Sequence, residues 1–261
     1  DLYLQISSMG DEKPGIVEGN DLPDFNPDDE YLKEVKSPIF YAVQKNINIQ
    51  TGQPTVMEFD MQRISQRINI IFNIRTEGNI KKEDLSAPII ELSGTCGRFN
   101  ISDACLDTTR LYRTVHQVQP DEFTQTGEGT YRCAVHFHTL GIIPSAAKGH
   151  LNGPGILQVA LQVSTPQLDA AGAPVLDADG NPVKNSRYIY GAINPYDELT
   201  AAQLIEVRDG KTYLRYSKED VNIEITTPLV IKADKIVPND TGMGWQPHDP
   251  SNPDDDIIIE I

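Results

Sequence analysis

The chain has 261 residues and a formal net charge of −16, with 38 Asp and Glu against 22 Lys and Arg. This balance argues against a nucleic-acid partner, because phosphate contacts need clustered cations. No apolar run is long enough to span a membrane. The length allows one large or two modest domains, and the acidic surface is typical of an exported protein.

The chain opens on a strand-like pattern, in which apolar and polar residues alternate over residues 2–6. No signal peptide precedes it, so we expect that an export signal and a linker were removed upstream. Residues 9–37 are acidic and contain several glycines and prolines, which predicts a long surface excursion. Within it, the sequence from Asn26 to Asp29 predicts the start of a short helix that ends near Val35.

The rest of the chain is arranged around one long extended segment, residues 55–75. Its alternating apolar side chains stand at odd positions in the first half and, with Ile71 as the exception, at even positions in the second half: Met57, Phe59, Met61, then Ile68, Ile70, Phe72 and Ile74. A strand keeps its face unless a bulge, a bend or a change of sheet intervenes. The change between residues 62 and 66 predicts that the segment leaves one packing unit and enters another. We therefore expect an N-terminal β domain over residues 1–62 and a C-terminal β-sandwich domain over residues 63–261.

Further strands are predicted at residues 39–43, 46–50, 88–93, 98–102, 111–118, 131–140, 157–163, 187–192, 212–216, 221–225, 229–232 and 257–261. Glycines at 94–97 should break the strand that they follow. One further short helix is predicted after Asn194, ending near Leu204. Helices this few and short cannot connect parallel strands, so the fold class is all-β with mainly antiparallel sheets.

Residues 168–183 contain a tandem octapeptide, LDAAGAPV followed by LDADGNPV. Its turn-forming residues predict a protruding hairpin or loop. Asp177, Asp179 and Gly180 match the start of a calcium loop, but the later carboxylates that such a loop needs are missing. Asp249 and residues 254–256 could also gather a cation, although a solvated acidic loop is the favoured interpretation.

Two histidines and three cysteines are further candidates for ligands or redox groups. His136 and His138 share a strand face, but no third ligand has metal-site spacing, so an exposed strand face is favoured. Cys96 and Cys105 are close enough in sequence to bridge. Together with Cys133, they are better interpreted as three buried thiols.

No motif of a hydrolase, metalloprotease, nucleotide-binding or dinucleotide-binding enzyme occurs in the sequence, and no cofactor is expected. Trp245 could form a ligand platform, but a plug at the end of a sandwich is favoured. The last strand carries Ile257, Ile259 and Ile261 on one face behind an acidic tether. These three residues are the candidate subunit contacts, because an exposed strand invites pairing; completion of the chain's own sheet is the favoured alternative.

The order of these signals resembles the fimbrillin-like proteins, the Mfa-like and FimB-like surface lipoproteins of Bacteroidales. The resemblance extends from about residue 39 to the end and is carried by the sequences TVMEFDMQRISQRINIIFNI, PIIELSGTCGRFNIS, TLGIIP, VNIEITTPLVIKADKIVP, GMGWQP and IIIEI. It implies two tandem transthyretin-like antiparallel β-sandwich domains. It also implies export, an N-terminal lipid on a cysteine that holds the protein at the outer membrane, and other fimbrial subunits as partners.

Two features depart from that family. The chain begins at Asp1 without a lipidated cysteine, and the acidic excursion stands where further N-terminal strands are expected, so the first domain is short or incomplete.

The leading hypothesis is a non-enzymatic fimbrial subunit or anchor that works through strand addition. The alternative is a surface module that binds glycans or captures nutrients through exposed aromatics, drawn from Tyr188, Tyr190, Tyr196, Tyr213, Tyr216 and Trp245. A hydrolase with an unrecognised site is the third hypothesis.

Overall fold

The computed structural model describes residues 3–6, 31–32, 35, 37–49, 51–52, 54–78, 80–216, 218, 220–232, 235–239 and 244–248. In these residues the protein is all-β with mainly antiparallel sheets, which confirms the predicted fold class. No helix within them has the length and apolar character to cross a membrane.

The strands of this part of the chain are β1 (Tyr3–Gln5), β2 (Phe40–Tyr41), β3 (Gln62–Arg63), β4 (Gln66–Glu77), β5 (Ile89–Asn100), β6 (Cys105–Gln117), β7 (Phe123–Gly127), β8 (Thr130–Thr139), β9 (Leu157–Pro166), β10 (Lys184–Ile193), β11 (Ile205–Arg208), β12 (Lys211–Leu214), β13 (Asp220–Lys232), β14 (Lys235–Val237) and β15 (Gln246–Pro247). The helices are a 3-10 turn, Lys82–Asp84, and α1 (Tyr196–Ala202).

Two large sheets and one small one contain these strands. The eight-stranded sheet has the order β11-β12-β6-β5-β9-β10-β15, with β1 also paired to β5. The five-stranded sheet has the order β14-β13-β4-β8-β7, and β2 pairs only with β3. The pairing of β4 with β13 is parallel, an exception to the antiparallel rule that the sequence predicts.

The main core lies between the two large sheets. From the five-stranded sheet it takes the even positions of β4 and the odd positions of β8, and these include the fully buried Phe72. From the eight-stranded sheet it takes apolar side chains of β5, β9 and β10. The inward face that alternation predicts for residues 131–137 is therefore confirmed. Full burial of each large apolar side chain contributes roughly 1.5–3 kcal/mol.

A second, smaller core joins N-terminal residues to the far ends of β5, β6 and β12. Tyr41 and Ile64 pack there with Phe99, whereas Ile68 belongs to the main core. The extended segment therefore passes from one cluster to the other between Ile64 and Ile68. Both residues stand at even positions, and the odd-position side chains Met57, Phe59 and Met61 are exposed, so the predicted change of buried face is wrong. The proposed domain division at residue 62 stays a prediction.

The strands predicted at 46–50 and 55–61 are wrong where the chain is described, because residues 46–49 and 55–61 belong to no strand. The predicted helix that would end near Val35 is also wrong, because Tyr31 and Leu32 form β-bridge pairings and not a helix. Tyr31 pairs in parallel with Arg113, and the Leu32 N–H donates to the Arg113 carbonyl at 3.0 Å. This hydrogen bond to β6 satisfies the Leu32 N–H in place of a helix.

The glycines at 94–97 do not end a strand. β5 continues through them, and its register against β6 shifts between Ser93 and Thr95 and again between Cys96 and Arg98. Gly94 has φ of 82°, a conformation that L side chains rarely adopt. The glycine signal thus marks two irregularities within one strand.

Candidate functional site

The most exposed apolar part of the described chain is the stretch between β2 and β3. We call residues 42–61 the apolar arm. Val56 and Ile49 are 85% and 73% exposed, and further exposed side chains on the arm are Val43, Ile47, Met57, Phe59 and Met61. Phe40, at the base, is also exposed. Contiguous apolar patches of more than a few hundred Å² on a monomer mark interaction sites.

The base of the arm is fixed by hydrogen bonds. The Ile64 N–H donates to the Ile39 carbonyl at 2.8 Å, and the Ile39 N–H donates to the Ser65 hydroxyl at 2.9 Å. The Tyr41 hydroxyl donates to the Ile101 carbonyl at 2.9 Å. The residues at the base of the arm are therefore held in place by hydrogen bonds to the rest of the fold.

The base also sets a register for the arm. Phe40 pairs with Arg63 and Tyr41 with Gln62. The same register, extended outward, places residues 51 and 52 opposite each other, and these two residues form a turn in which Gly52 has φ of 81°. In a hairpin of this register Ile47 would face Val56, and Lys45 would face Glu58, a favourable pair of opposite charges. The arm thus has a turn at the position where this register would place one, although its described residues between the base and the turn belong to no strand.

Both faces of such a hairpin would carry apolar side chains. Val43, Ile47 and Val56 would share one face, and Phe59 and Met61 the other. A surface hairpin normally has one polar face. In such a hairpin, apolar side chains would therefore be exposed on both faces.

The candidate contact residues Ile257, Ile259 and Ile261 lie outside the described residues, as do Asp249 and residues 254–256. Their roles remain predictions from the sequence.

Apart from the apolar arm, the structure contains a polar cluster of which the sequence analysis named only two members. His136 and His138 lie on the outward-facing side of β8, as expected. The structure adds His116 from β6 and Glu122 from the following turn, with the two side chains 2.7 Å apart between Nε2 and Oε2. Sequence spacing gave no signal for these two, because they reach β8 through the crossover from one sheet to the other. No group of three His, Cys, Asp or Glu within the described ranges is placed to hold a metal ion.

The tandem octapeptide forms two equivalent turns, which confirms the predicted protrusion. The Asp169 carboxylate accepts from the N–H groups of residues 171 and 173, and the Asp177 carboxylate accepts from those of Asp179 and Asn181. The N–H bonds from Asn181 and Asp179 hold the pKa of Asp177 below its usual value. One Asp177 oxygen is therefore used as a backbone acceptor within its own turn.

The two turns are joined by a ring of three backbone hydrogen bonds. The Gln167 N–H donates to the Val183 carbonyl, that of Val183 to Val175, and that of Val175 to Gln167, over 2.7–2.8 Å. Gln167, Val175 and Val183 follow one another at intervals of eight residues, so the length of the repeat sets this closure.

All three cysteines are free and buried, which confirms the interpretation as ordinary thiols. Burial raises the pKa of Cys96 and of Cys133 to about 12, and burial also raises that of Cys105. A thiol is a poor nucleophile when its thiolate is this disfavoured.

Trp245 is a plug between the sheets. It is 1% exposed, its indole N–H donates to the Thr227 carbonyl at 2.9 Å, and its ring lies 5.2 Å from that of Phe72. Of the tyrosines proposed as a ligand platform, Tyr188 and Tyr190 share one face of β10 and stack, with ring centres 6.4 Å apart. Tyr213 stacks instead with Arg208, and Tyr216 packs on the second core.

One open cleft of about 470 Å³ lies beside the 3-10 turn, between Thr76, Lys81, Lys82 and Glu128. The Lys82 ammonium is 3.2 Å from the centre of the Phe123 ring, and burial lowers the pKa of this lysine. The cleft combines two lysines with two glutamates, and this arrangement shows no preference for one sign of ligand charge.

None of the protein-family models, curated proteins or solved structures compared with this chain matches it.

Proposed function

We propose that this chain is a non-enzymatic subunit or anchor of a surface fimbria that contacts neighbouring subunits through the apolar arm. The observation that carries the proposal is the exposure of the arm's apolar side chains next to a fixed two-strand base. A standard protein–protein interface buries about 800 Å² on each partner. The described residues of the arm offer exposed apolar side chains on both sides of its turn.

The mechanism is strand addition. A partner strand pairs with the backbone of the arm, and its alternate side chains meet the apolar residues of the arm. The donor is the terminal segment of another subunit, in which Ile257, Ile259 and Ile261 alternate with Ile258 and Glu260. Backbone hydrogen bonds supply affinity, and the apolar side chains select the register.

The resemblance to fimbrillin-like proteins extends this proposal. The all-β fold would divide into two tandem transthyretin-like sandwiches, the first one short, with residues 1–62 and 63–261 as the two parts. The protein would be exported and held at the outer membrane by an N-terminal lipid. These features belong to the proposal and rest on the sequence resemblance.

The direct test titrates a peptide of residues 249–261 into the purified chain and measures binding by calorimetry. We expect binding to be lost when Val56 and Phe59 are both changed to serine. The matched control changes Leu168 and Leu176 to serine, because these are also exposed apolar residues but lie on the tandem turns. This control should bind the peptide as the unchanged chain does. Equal binding by both variants, or no binding by the unchanged chain, would contradict the proposal.

A deletion gives a second test. Removal of residues 257–261 should abolish assembly into larger species, measured by sedimentation, and leave the circular dichroism spectrum unchanged. If the deletion unfolds the monomer, the terminal segment belongs to the chain's own sheet.

The second candidate function is glycan capture, which is favoured by the stacked pair of Tyr188 and Tyr190 on β10. Adjacent aromatic rings on a sheet face can stack against sugar rings through their apolar faces. A glycan array on the monomeric protein separates the two functions. Specific sugar binding that is lost in Tyr188→Ala, with no binding of the terminal peptide, would support glycan capture.

A further inference from the structure

The open cleft beside the 3-10 turn is bordered by two segments that hydrogen bonds hold together. Its volume of about 470 Å³ lies within the range of sites that take small ligands. One wall is the loop that follows β4, and the other is the turn between β7 and β8. The Thr76 N–H donates to the Gly129 carbonyl at 2.8 Å, and the Thr76 hydroxyl donates to the Ile80 carbonyl at 3.3 Å. These bonds fix the separation of the two walls.

The floor and the rim of this cleft differ in character. Tyr131 lines the cleft and is 1% exposed, so its ring contributes an aromatic floor. The exposed side chains of Lys81, Glu83 and Glu128 form the rim. Lys82 is half-buried and lies between floor and rim. The cleft thus carries two positive and two negative side chains above an aromatic base.

The ammonium of Lys82 is held by aromatic and carbonyl groups and not by a carboxylate. It lies 3.2 Å from the centre of the Phe123 ring and 5.5 Å from that of Tyr131, and it donates to the Phe123 carbonyl at 3.4 Å. Within the described ranges, no carboxylate forms an ion pair with it. Burial lowers the pKa of Lys82, because these neighbours only partly replace the water that the ammonium has lost. A carboxylate bound in the cleft would supply a counter-charge.

The charges of the rim are in the same condition. Lys81, Glu83 and Glu128 take part in no salt bridge with any other residue that the structure describes. A ligand with one sign of charge would pair with one set of side chains and strip water from the other set without compensation. A ligand that carries a negative charge at one end and a positive charge at the other would compensate both sets.

A peptide backbone suits the space between these charges. Gln125 lines the cleft and belongs to β7, which is the edge strand of its sheet. Edge strands offer backbone N–H and C=O groups that pair with the amide groups of an extended peptide. A short peptide therefore fits the cleft better than a sugar does, because its amides can pair with the strand while its two ends meet the charges.

We propose that this cleft binds a short peptide with both termini free, with the terminal carboxylate on Lys82 and the terminal ammonium on Glu83 and Glu128. This inference does not rest on the proposed fimbrial function. Thr76 stands near the end of β4, whereas the apolar arm leads into its beginning, so the peptide site and the arm are at opposite ends of this strand.

Titration of trialanine into isotope-labelled protein, followed by NMR, tests the proposal against two blocked forms of the same peptide. At neutral pH, trialanine should shift the amide signals of Thr76, Lys82 and Tyr131. Its methyl ester lacks the carboxylate, and N-acetyl trialanine lacks the ammonium. Each blocked form should bind about tenfold more weakly or worse, which is the loss expected for one hydrogen bond between charged groups.

Variants of the cleft assign each end of the peptide. Lys82→Met keeps a long apolar side chain against Phe123 and removes the charge, so trialanine should bind this variant no better than its methyl ester does. Lys82→Arg should keep the preference for the free carboxylate, and Glu128→Gln should reduce the preference for the free ammonium. Lys148→Met is the matched control, because exposed Lys148 pairs with Asp197 away from the cleft. This control should bind trialanine as the unchanged chain does.

The proposal is overturned if trialanine does not shift these signals in the unchanged protein, if the blocked peptides bind as tightly as trialanine, or if Lys82→Met still prefers the free carboxylate. Amide signals of β9 that stay in place show that a variant is folded. If Lys82→Met does not meet this criterion, Lys82→Arg and the two blocked peptides on the unchanged protein decide the question.

Discussion

The Tyr41 hydroxyl donates a 2.9 Å hydrogen bond to the carbonyl of Ile101, and this contact ties the base of the apolar arm to the turn between β5 and β6. The Tyr41 ring also packs edge-on against Phe99 at 5.4 Å. Burial raises the pKa of the Tyr41 phenol, so it remains a neutral donor across the physiological range.

Tyr41→Phe should therefore lower the free energy of unfolding by about 1 kcal/mol, because it keeps the ring but leaves the Ile101 carbonyl without this donor. Urea denaturation measures the change. Tyr3→Phe is the matched control, because the exposed Tyr3 contacts Arg98 through its ring, whose centre lies 4.3 Å from Arg98 Cζ. This substitution should not change the free energy of unfolding. An equal effect of both variants would show that the hydroxyl of Tyr41 is not a structural tie.

Gly94→Ala should destabilise the protein severely, by roughly 3 kcal/mol or more. A Cβ there would lie 2.6 Å from both the Gly155 nitrogen and the Ile143 oxygen, and Gly94 also has a positive φ. Gly172→Ala is the matched control, because its φ is also near 80° but a Cβ would meet nothing within 4 Å. The control should cost only about 1 kcal/mol in thermal or urea unfolding, from backbone strain alone. Similar losses in both variants would remove the steric explanation.

Asp84→Asn should destabilise the protein by about 1 kcal/mol at pH 7, with the difference disappearing in acid. Burial on its own would raise the pKa of Asp84, but the hydrogen bond from Lys184 and that from the Lys81 backbone outweigh it and hold the pKa below the usual 3.8. The stabilisation is thus present above pH 3.8 and is lost as the pH falls through the lowered value. Asp197→Asn, in an exposed pair with Lys148, should change little at any pH. A pH-independent effect of Asp84→Asn would rule out the charge as its cause.

The register of the arm predicts a specific cross-link. With Ile47 and Val56 both changed to cysteine, a disulfide should form on mild oxidation, because the register of the base, extended along the arm, would place these positions opposite each other. The pair Ile47→Cys and Met57→Cys is offset by one residue and should react more slowly. Mass spectrometry after alkylation measures both. Equal rates would mean that the arm does not extend the register of its base.

Sequence periodicity predicted the parts of the fold in which one face meets the core. The alternation in β4 and β8 is complete because every second side chain is buried between the sheets. The same alternation at Met57, Phe59 and Met61 predicted a buried face that is in fact exposed. Periodicity predicts which face of a strand carries the apolar side chains, but it does not predict whether the same chain buries that face.

Short pairings were not predictable in the same way. β14 and β15 have three and two residues, too few to show a period. Their positions depend on backbone edges provided by β13 and β10. The meeting of His116, Glu122 and His136 likewise needs the crossover between sheets, which no local pattern encodes.

The parallel pairing of β4 with β13 has a consequence for synthesis. Asn69 and Asn222 join side chains at 2.9 Å although 153 positions separate them in the chain. The ribosome must therefore add these 153 residues before β4, the central strand of the five-stranded sheet, can acquire one of its two neighbours. Contacts this remote slow folding and leave intermediates that are prone to aggregate, so the nascent chain would benefit from a chaperone until β13 has emerged.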